Sequence, residues 1–193
     1  MERRISRLPA ANASSGGGSS FRALSGWVGF WDADMATPLS EVARFLVYAS
    51  LHDGRVDGIF GSRIHRLGSA ITRDYVRHLA GRIFATMVDG LFDIGCYDSQ
   101  CGAKLFRTDL IDRAFSEPFV SRWIFDVEII LRLQSCNLIE YPLQQWTDVP
   151  GGTVKMGRLV GPTVADLIRI RTHYRRKLKT RSPDGACHPP PRL

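Results

Sequence analysis

Apolar residues along the chain fall into short unbroken runs that alternate with helical spacings. WVGFW, from Trp27 to Trp31, is an aromatic and aliphatic run that reads as a buried strand, and it leads directly into Asp32-Ala33-Asp34. Thr37-Pro38 then supplies a capping residue and a proline suited to the first helical position. Val42, Phe45, Leu46 and Ala49 follow at helical spacing, predicting a helix to about Leu51. Val56, Ile59 and Phe60 mark a second strand ending at Gly61-Ser62-Arg63. A strand, helix, strand order predicts a mostly parallel sheet, and acids at the C-terminal end of such a strand stand where open α/β sheets take their ligands.

From Ser69 to about Phe92 the pattern is helical, with Ile71, Tyr75, Leu79, Ile83, Met87 and Leu91 four apart throughout. Arg73 and Arg77, also four apart, fall on another face, suited to a surface or a phosphate. A glycine and cysteine loop, GCYDSQCG, precedes a short strand-like KLF, a helix capped by Thr108 and a second helix near Phe125 to Gln134. LIEYPLQQW closes the body as an extended segment. Beyond Pro162, Val164, Leu167, Ile168, Ile170 and Tyr174 lie among seven Lys or Arg. That pattern predicts a basic amphipathic helix, a common form of reversible attachment to anionic membrane. The first twenty residues carry three arginines and then small residues, with no apolar segment of a secretory signal; they and the final DGACHPPPRL read as disordered.

Composition sharpens this picture. A chain of 193 residues with 44% hydrophobic content can build one domain core, and no apolar run approaches a membrane-spanning length. Four cysteines at irregular spacing make neither a disulfide scaffold nor a paired zinc pattern, so a reducing cytoplasm is the expected setting. The net charge of +7 is unevenly placed: residues 155 to 193 hold ten of the 26 basic residues and two of the 19 acids, giving +8, which leaves −1 for the rest. Such a tail suits phospholipid or nucleic acid, but no recognised nucleic-acid motif accompanies it.

Two carboxylates one residue apart at a strand end can hold a divalent ion that bridges to a diphosphate, because hard oxygen ligands suit Mg²⁺ or Mn²⁺. A lone DxD is as often a turn or a helix cap; the aromatic strand before it and the Thr-Pro after it favour the metal. A phosphatase pattern would want Thr or Val where Ala36 stands. Arg63 can fork onto phosphate oxygens or serve simply as a surface residue beside a turn. In the loop Asp98-Ser99-Gln100-Cys101-Gly102, Cys101 has no histidine near it in sequence and reads better as a small buried thiol than as a nucleophile. Asp126 and Glu128 sit at a helix start on different sides, where one can face a pocket and the other orient the helix, or both can simply favour its dipole.

Taken in order, GFWDADMATP, GSR, the arginine-bearing helix, DSQCGAKLF, WIFDVEI and QWTDVPGG resemble the family-two glycosyltransferases that make polyprenyl-phosphate sugars, over about Leu24 to Arg158. The resemblance implies an α/β, Rossmann-like GT-A fold, a nucleotide-sugar donor such as UDP-glucose or GDP-mannose, a Mg²⁺ or Mn²⁺ ion and a polyprenyl phosphate acceptor. It places such an enzyme at the cytoplasmic face of the membrane. By position it implies that Asp32 and Asp34 hold the metal and donor diphosphate, and that Arg63, Arg73 and Arg77 meet phosphates. Asp98, Gln100, Cys101, Gly102 and Lys104 would then line the acceptor side, with Asp98, Asp126 and Glu128 as catalytic carboxylates. Two departures stand out. Gly151-Gly152-Thr153 replaces the family's Gly-Ser-Lys, and nothing before Leu24 matches the V-x-P-x-Y-N-E strand and the α/β unit that hold the base. The expected organisation is therefore a disordered lead-in over 1–23, an N-terminally incomplete GT-A domain over 24–158, a membrane-associating helix over 159–181 and a disordered tail over 182–193. The alternative function is a non-catalytic module that keeps only the lipid-phosphate surface.

Overall fold

The computed structural model describes residues 4–7, 26–52, 55–72, 75–148 and 156–179. Five strands form the main sheet in the order β1 (Arg4–Arg7), β2 (Trp27–Trp31), β5 (Ala103–Arg107), β3 (Gly58–Ser62) and β6 (Leu138–Pro142). Two short strands, β4 (Ala70–Thr72) and β7 (Gln145–Thr147), pair parallel beside it. The helices are α1 (Ser40–Leu51), α2 (Tyr75–Phe92), α3 (Ile111–Ala114), α4 (Phe125–Arg132) and α5 (Met156–Lys179). A 3-10 turn, Thr108–Leu110, leads into α3, and the Thr108 side chain makes no cap.

The predicted mostly parallel sheet is in fact mixed. β5 enters antiparallel between β2 and β3, with Trp31 opposite Ala103 and Phe60 opposite Lys104. Only the β3–β6 pairing within this sheet is parallel. The strand, helix, strand rule fails because β5, reached after α2, fills the gap between the two strands that α1 connects. On the outer side of β2, Arg4–Arg7 pairs antiparallel and covers the edge, so part of the predicted disordered lead-in is a strand.

The two faces of the sheet bury different cores. α1 packs Phe45 and Ala49 against Trp31, Ile59, Leu105 and Leu143 on one side. On the other side Phe30, Phe60 and Phe106 meet α3 and α4 through Ala114, Ile129 and Ile130. α4 in turn carries Val127 and Leu131 outward onto Val88 and Phe92 of α2 and Leu167, Ile170 and Tyr174 of α5. It is therefore buried on both sides, which explains why every residue from Asp126 to Arg132 is buried.

α2 begins at Tyr75, later than the spacing suggested, because Ile71 belongs to β4. Its regular four-residue stripe is not its packed face: Tyr75, Leu79 and Ile83 are exposed, while Ala85, Val88 and Phe92 are buried. Each residue turns about 100°, so a strict spacing of four winds around the helix by roughly 160° between Tyr75 and Leu91. The stripe starts in solvent and reaches the core only at its end.

The apolar seam of α5, expected to meet a membrane, is taken up by the protein's own core. Leu167, Ile170 and Tyr174 are 1%, 0% and 3% exposed, whereas Ile168 is 56% exposed. The outward face keeps Arg169, Arg171 and Arg175. Among the described residues no helix is long and apolar enough to cross a membrane. Leu167→Ala is expected to lower stability by about 2–5 kcal/mol, and Ile168→Ala to change it by less than about 0.5 kcal/mol, measured by denaturant unfolding.

Candidate functional site

Because β2 and β3 are both antiparallel to β5, they run in the same direction, and β6 follows β3. Their C-terminal ends therefore meet the N-terminal end of β5 along one margin of the sheet. Four stretches emerge there: the Asp32–Thr37 turn, Arg63, the loop from Asp98 to Gly102, and Leu143 to Trp146.

The first turn is held from several directions. The Asp32 N–H donates to the Gly102 carbonyl at 3.0 Å, and the Trp31 indole N–H donates to the Thr37 carbonyl at 3.0 Å. The Ala36 N–H donates to Asp34 Oδ1 at 3.1 Å, and the Ala36 carbonyl accepts the Thr147 N–H at 3.0 Å. Met35 takes a left-handed φ of 56°, which costs a side-chain-bearing residue on the order of 1 kcal/mol. Asp34 is exposed and Asp32 half-buried. The Asp32 carboxylate occupies the place a side chain on residue 102 would take: a Cβ there would lie 1.8 Å from Asp32 Oδ2. Glycine at 102 makes room for that carboxylate.

Arg63 is fixed by Asp98. Its Nε donates to Oδ2 at 2.7 Å, its Nη2 to Oδ1 at 2.6 Å, and its backbone N–H to Oδ2 at 3.0 Å. The guanidinium carbon lies 5.4 Å from the centre of the Trp146 ring. Burial alone would pull the Arg63 pKa down, but the adjacent Asp98 carboxylate outweighs it, with smaller help from Cys101 and Asp32, and the pKa is raised. The guanidinium stays charged at any physiological pH.

Lys104 and Asp126 are fully buried, with Nζ 3.0 Å from Oδ1. The same ammonium donates to the Cys101 carbonyl and lies 5.3 and 5.2 Å from the ring centres of Phe30 and Phe60. Glu128 is turned elsewhere. Its carboxylate accepts the backbone N–H groups of Val120 and Ser121 at 3.1 and 3.0 Å and the Tyr174 hydroxyl at 3.3 Å. Arg132 approaches it at 3.7 Å and donates to the Tyr174 oxygen at 2.7 Å. Asp126 and Glu128, read from the sequence as candidate catalytic carboxylates, are thus both buried and have separate partners. Residues two apart on a helix point about 200° apart, and α4 is covered on both sides, so one acid meets β5 and the other meets the 120 loop and α5.

The structure therefore brings together Asp32, Asp34, Arg63, Asp98, Gln100, Cys101 and Gly102 at one sheet margin, with Lys104 and Asp126 directly beneath. Arg73 lies outside the described residues, and Arg77 is described only as part of the α2 backbone. Gly151, Gly152 and Thr153 also lie outside them. Cys101 is buried, and its thiol is pushed up to about 11, first by burial and then by Asp98, against the pull of Arg63 and Lys104. A thiol so held is a poor nucleophile at neutral pH. Ser62 Oγ, Ser99 Oγ and Gln100 Nε2 are buried and have no hydrogen-bond partner among the described residues. Trp146, Ser62, Glu41 and Glu140 escaped the sequence reading: Glu41 Oε1 accepts the N–H groups of Gln144 and Gln145 at 3.1 Å each, holding the strand that carries Trp146. An acid inside an apolar helical face, such as Glu41 beside Val42 and Phe45, was the available signal.

Among the described residues no group of three or more His, Cys, Asp or Glu is placed to hold a metal ion. Asp32 and Asp34 are nevertheless hard oxygen donors, and the Gly102 cradle keeps the Asp32 carboxylate at the open margin. That fits Mg²⁺ or Mn²⁺, which bind through one or two carboxylates when substrate phosphates supply further oxygens.

Lys104→Met, which leaves the Asp126 carboxylate without its lysine, is expected to cost about 3–5 kcal/mol, with much of it recovered in Lys104→Met/Asp126→Leu, measured by denaturant unfolding. The Cys101 thiol has the higher pKa in the folded state. Its contribution to stability is therefore complete below about 9 and lost as pH rises toward about 11. Cys101→Ala is expected to flatten that part of the stability profile.

No family model matches the chain. It is 30% identical over 147 residues to the dolichyl-phosphate beta-glucosyltransferase of Dictyostelium discoideum, an overlap of 74% of this chain and 45% of that protein. It is 33% identical over 157 residues to the human protein of that name, covering 74% of this chain and 46% of the relative. With the protein of that name from Saccharomyces cerevisiae it shares 31% over 157 residues, covering 75% and 47%. The chain spans a little under half the length of these curated relatives. Over about three quarters of its own length the chain is thus similar to several dolichyl-phosphate beta-glucosyltransferases.

Proposed function

We propose that this chain carries part of the machinery that transfers glucose from a nucleotide-sugar donor to a polyprenyl phosphate, with inversion at the anomeric carbon. The observation that carries the reading is the meeting of the Asp32–Asp34 turn, the Arg63–Asp98 pair and the Gly102 cradle at one sheet margin. The relatives' shared name supports glucose as the sugar and dolichyl phosphate as the acceptor type.

In this reading Asp32 and Asp34 hold Mg²⁺ or Mn²⁺, which supplies charge neutralisation for the diphosphate leaving group. Arg63 contributes fixed positive charge toward phosphate oxygens, kept in place by Asp98. An oxygen of the lipid phosphate forms the new bond to the anomeric carbon, and the bond from that carbon to the nucleoside diphosphate breaks, the diphosphate leaving with the electron pair. A phosphate is already ionised at neutral pH, so no strong general base is required. Asp126 and Glu128 then act through the fold: Asp126 orients Lys104 under the 98–102 loop, and Glu128 anchors α4 to α5. The exposed arginines of α5 support a place at the anionic cytoplasmic surface of a membrane, held by charge and not by the buried seam.

The test is incubation of the chain with labelled UDP-glucose, or GDP-mannose in parallel, Mn²⁺ and a short polyprenyl phosphate. Labelled lipid is expected from the glucose donor, and Asp34→Asn is expected to reduce it by about 100-fold or more. Gly102→Ala, which displaces the Asp32 carboxylate, should act in the same direction. Absence of labelled lipid while a full-length relative is active alongside would overturn catalysis by this chain.

A further inference from the structure

Glu140 stands on β6, in an extended segment to which the sequence assigned no chemistry. Its Oε2 accepts the backbone N–H of Tyr97 at 2.7 Å, and its Oε1 accepts that of Asp98 at 2.8 Å. These are successive amides of the loop between α2 and β5. The Asp98 carboxylate in turn receives three donors from Arg63, at 2.6, 2.7 and 3.0 Å. Arg63 directly follows Ser62, the last residue of β3, and β3 pairs with β6 so that Phe60 stands opposite Glu140. The contacts close a ring: from β3 to Arg63, to Asp98, to Glu140, to β6 and back to β3.

Nε and Nη2 of Arg63 are committed to Asp98, while Nη1 makes no hydrogen bond among the described residues. Nearby in the chain, Ser62 Oγ and Ser99 Oγ are buried and have no hydrogen-bond partner among the described residues. An arginine whose fork is half used in this way meets an oxyanion in one orientation only, provided the carboxylate that holds it cannot move. Asp98 sits on a loop, and a loop residue keeps such precision only when its own backbone is tied to a rigid element. Glu140 supplies that tie from a strand. A carboxylate suits the task because both its oxygens accept, whereas glutamine would turn an NH₂ group toward one of the two amides.

We propose that Glu140 is a positioning residue, fixing Arg63 through Asp98 so that the guanidinium presents its Nη1 group to a phosphate oxygen. The phosphate role rests on the reading under Proposed function; the mechanical link does not. Two measurements on the full chain separate them.

The first is NMR exchange of the Arg63 Nε–H and the Tyr97 and Asp98 amides. In Glu140→Gln all three are expected to exchange about tenfold faster or more, because hydrogen bonds to a charged acceptor are lost, while amides of β2 and β5 keep their rates. Glu140→Asp, which retains the charge but is too short to span both amides, is expected to fall between. Asp57→Asn removes another carboxylate that accepts a backbone N–H, at the opposite end of β3, and should leave Arg63 unchanged. Unchanged Arg63 exchange in Glu140→Gln, or uniform acceleration of core amides in both Glu140 variants, would overturn the proposal.

The second is calorimetric titration with inorganic diphosphate and Mg²⁺. Glu140→Gln and Asp98→Asn are each expected to weaken binding about tenfold, and the double variant no further, because they act along one path. Additive losses in the double variant would count against the shared path. No binding by the unsubstituted chain would overturn the phosphate role, and the exchange measurement would still decide the link.

Discussion

The ion pair between Lys104 and Asp126 joins the parts of this molecule that the site requires. Both groups are fully buried, and removing two charges from water costs several kcal/mol per ion unless the geometry restores it. Here the ammonium faces the carboxylate, the Cys101 carbonyl and the rings of Phe30 and Phe60 at once. β5 is the strand inserted antiparallel between β2 and β3, so anchoring it to α4 sets the depth of everything at the sheet margin. The Gly102 carbonyl that receives Asp32, and the loop that carries Asp98, both depend on where β5 begins.

A second theme is the use of acids as clamps on backbone amides. Glu41 holds Gln144 and Gln145, Glu128 holds Val120 and Ser121, and Glu140 holds Tyr97 and Asp98. Each clamp ties a loop to a helix or strand, and each pairs partly or fully buried N–H groups that would otherwise be costly to leave unpaired. Bonds to a charged acceptor are stronger than neutral ones. A loop-built site gains definition from them without added apolar core.

The elements whose signals are local were legible in the sequence. WVGFW, the α1 spacing and the strand ending at Gly61-Ser62-Arg63 all appear where their residues indicate. What the local pattern leaves undecided depends on distant residues. The α2 stripe at four-residue intervals looked like a buried face, yet it winds from solvent into the core, and the spacing carries no record of which side is packed. The α5 seam has the pattern of a membrane helix, but the same pattern serves a helix that covers Val88, Phe92 and Leu131. Asp126 and Glu128 read as a pair near the chemistry, although the environment on each side of α4 sends them apart.

Sequence by itself determined the resemblance to these glycosyltransferases, the strands and helices with strong local patterns, and the residue types gathered at the candidate site. These follow from short-range periodicity and from motifs whose members are neighbours in the chain. Only the tertiary structure decided that β5 runs antiparallel at the centre of the sheet, that α5 spends its apolar face internally, and that Glu140 reaches the loop carrying Asp98. Glu140 and Asp98 are 42 residues apart in the chain. Their contact arises from strand pairing and from burying polar backbone, which hydrophobic pattern and motif spacing do not encode.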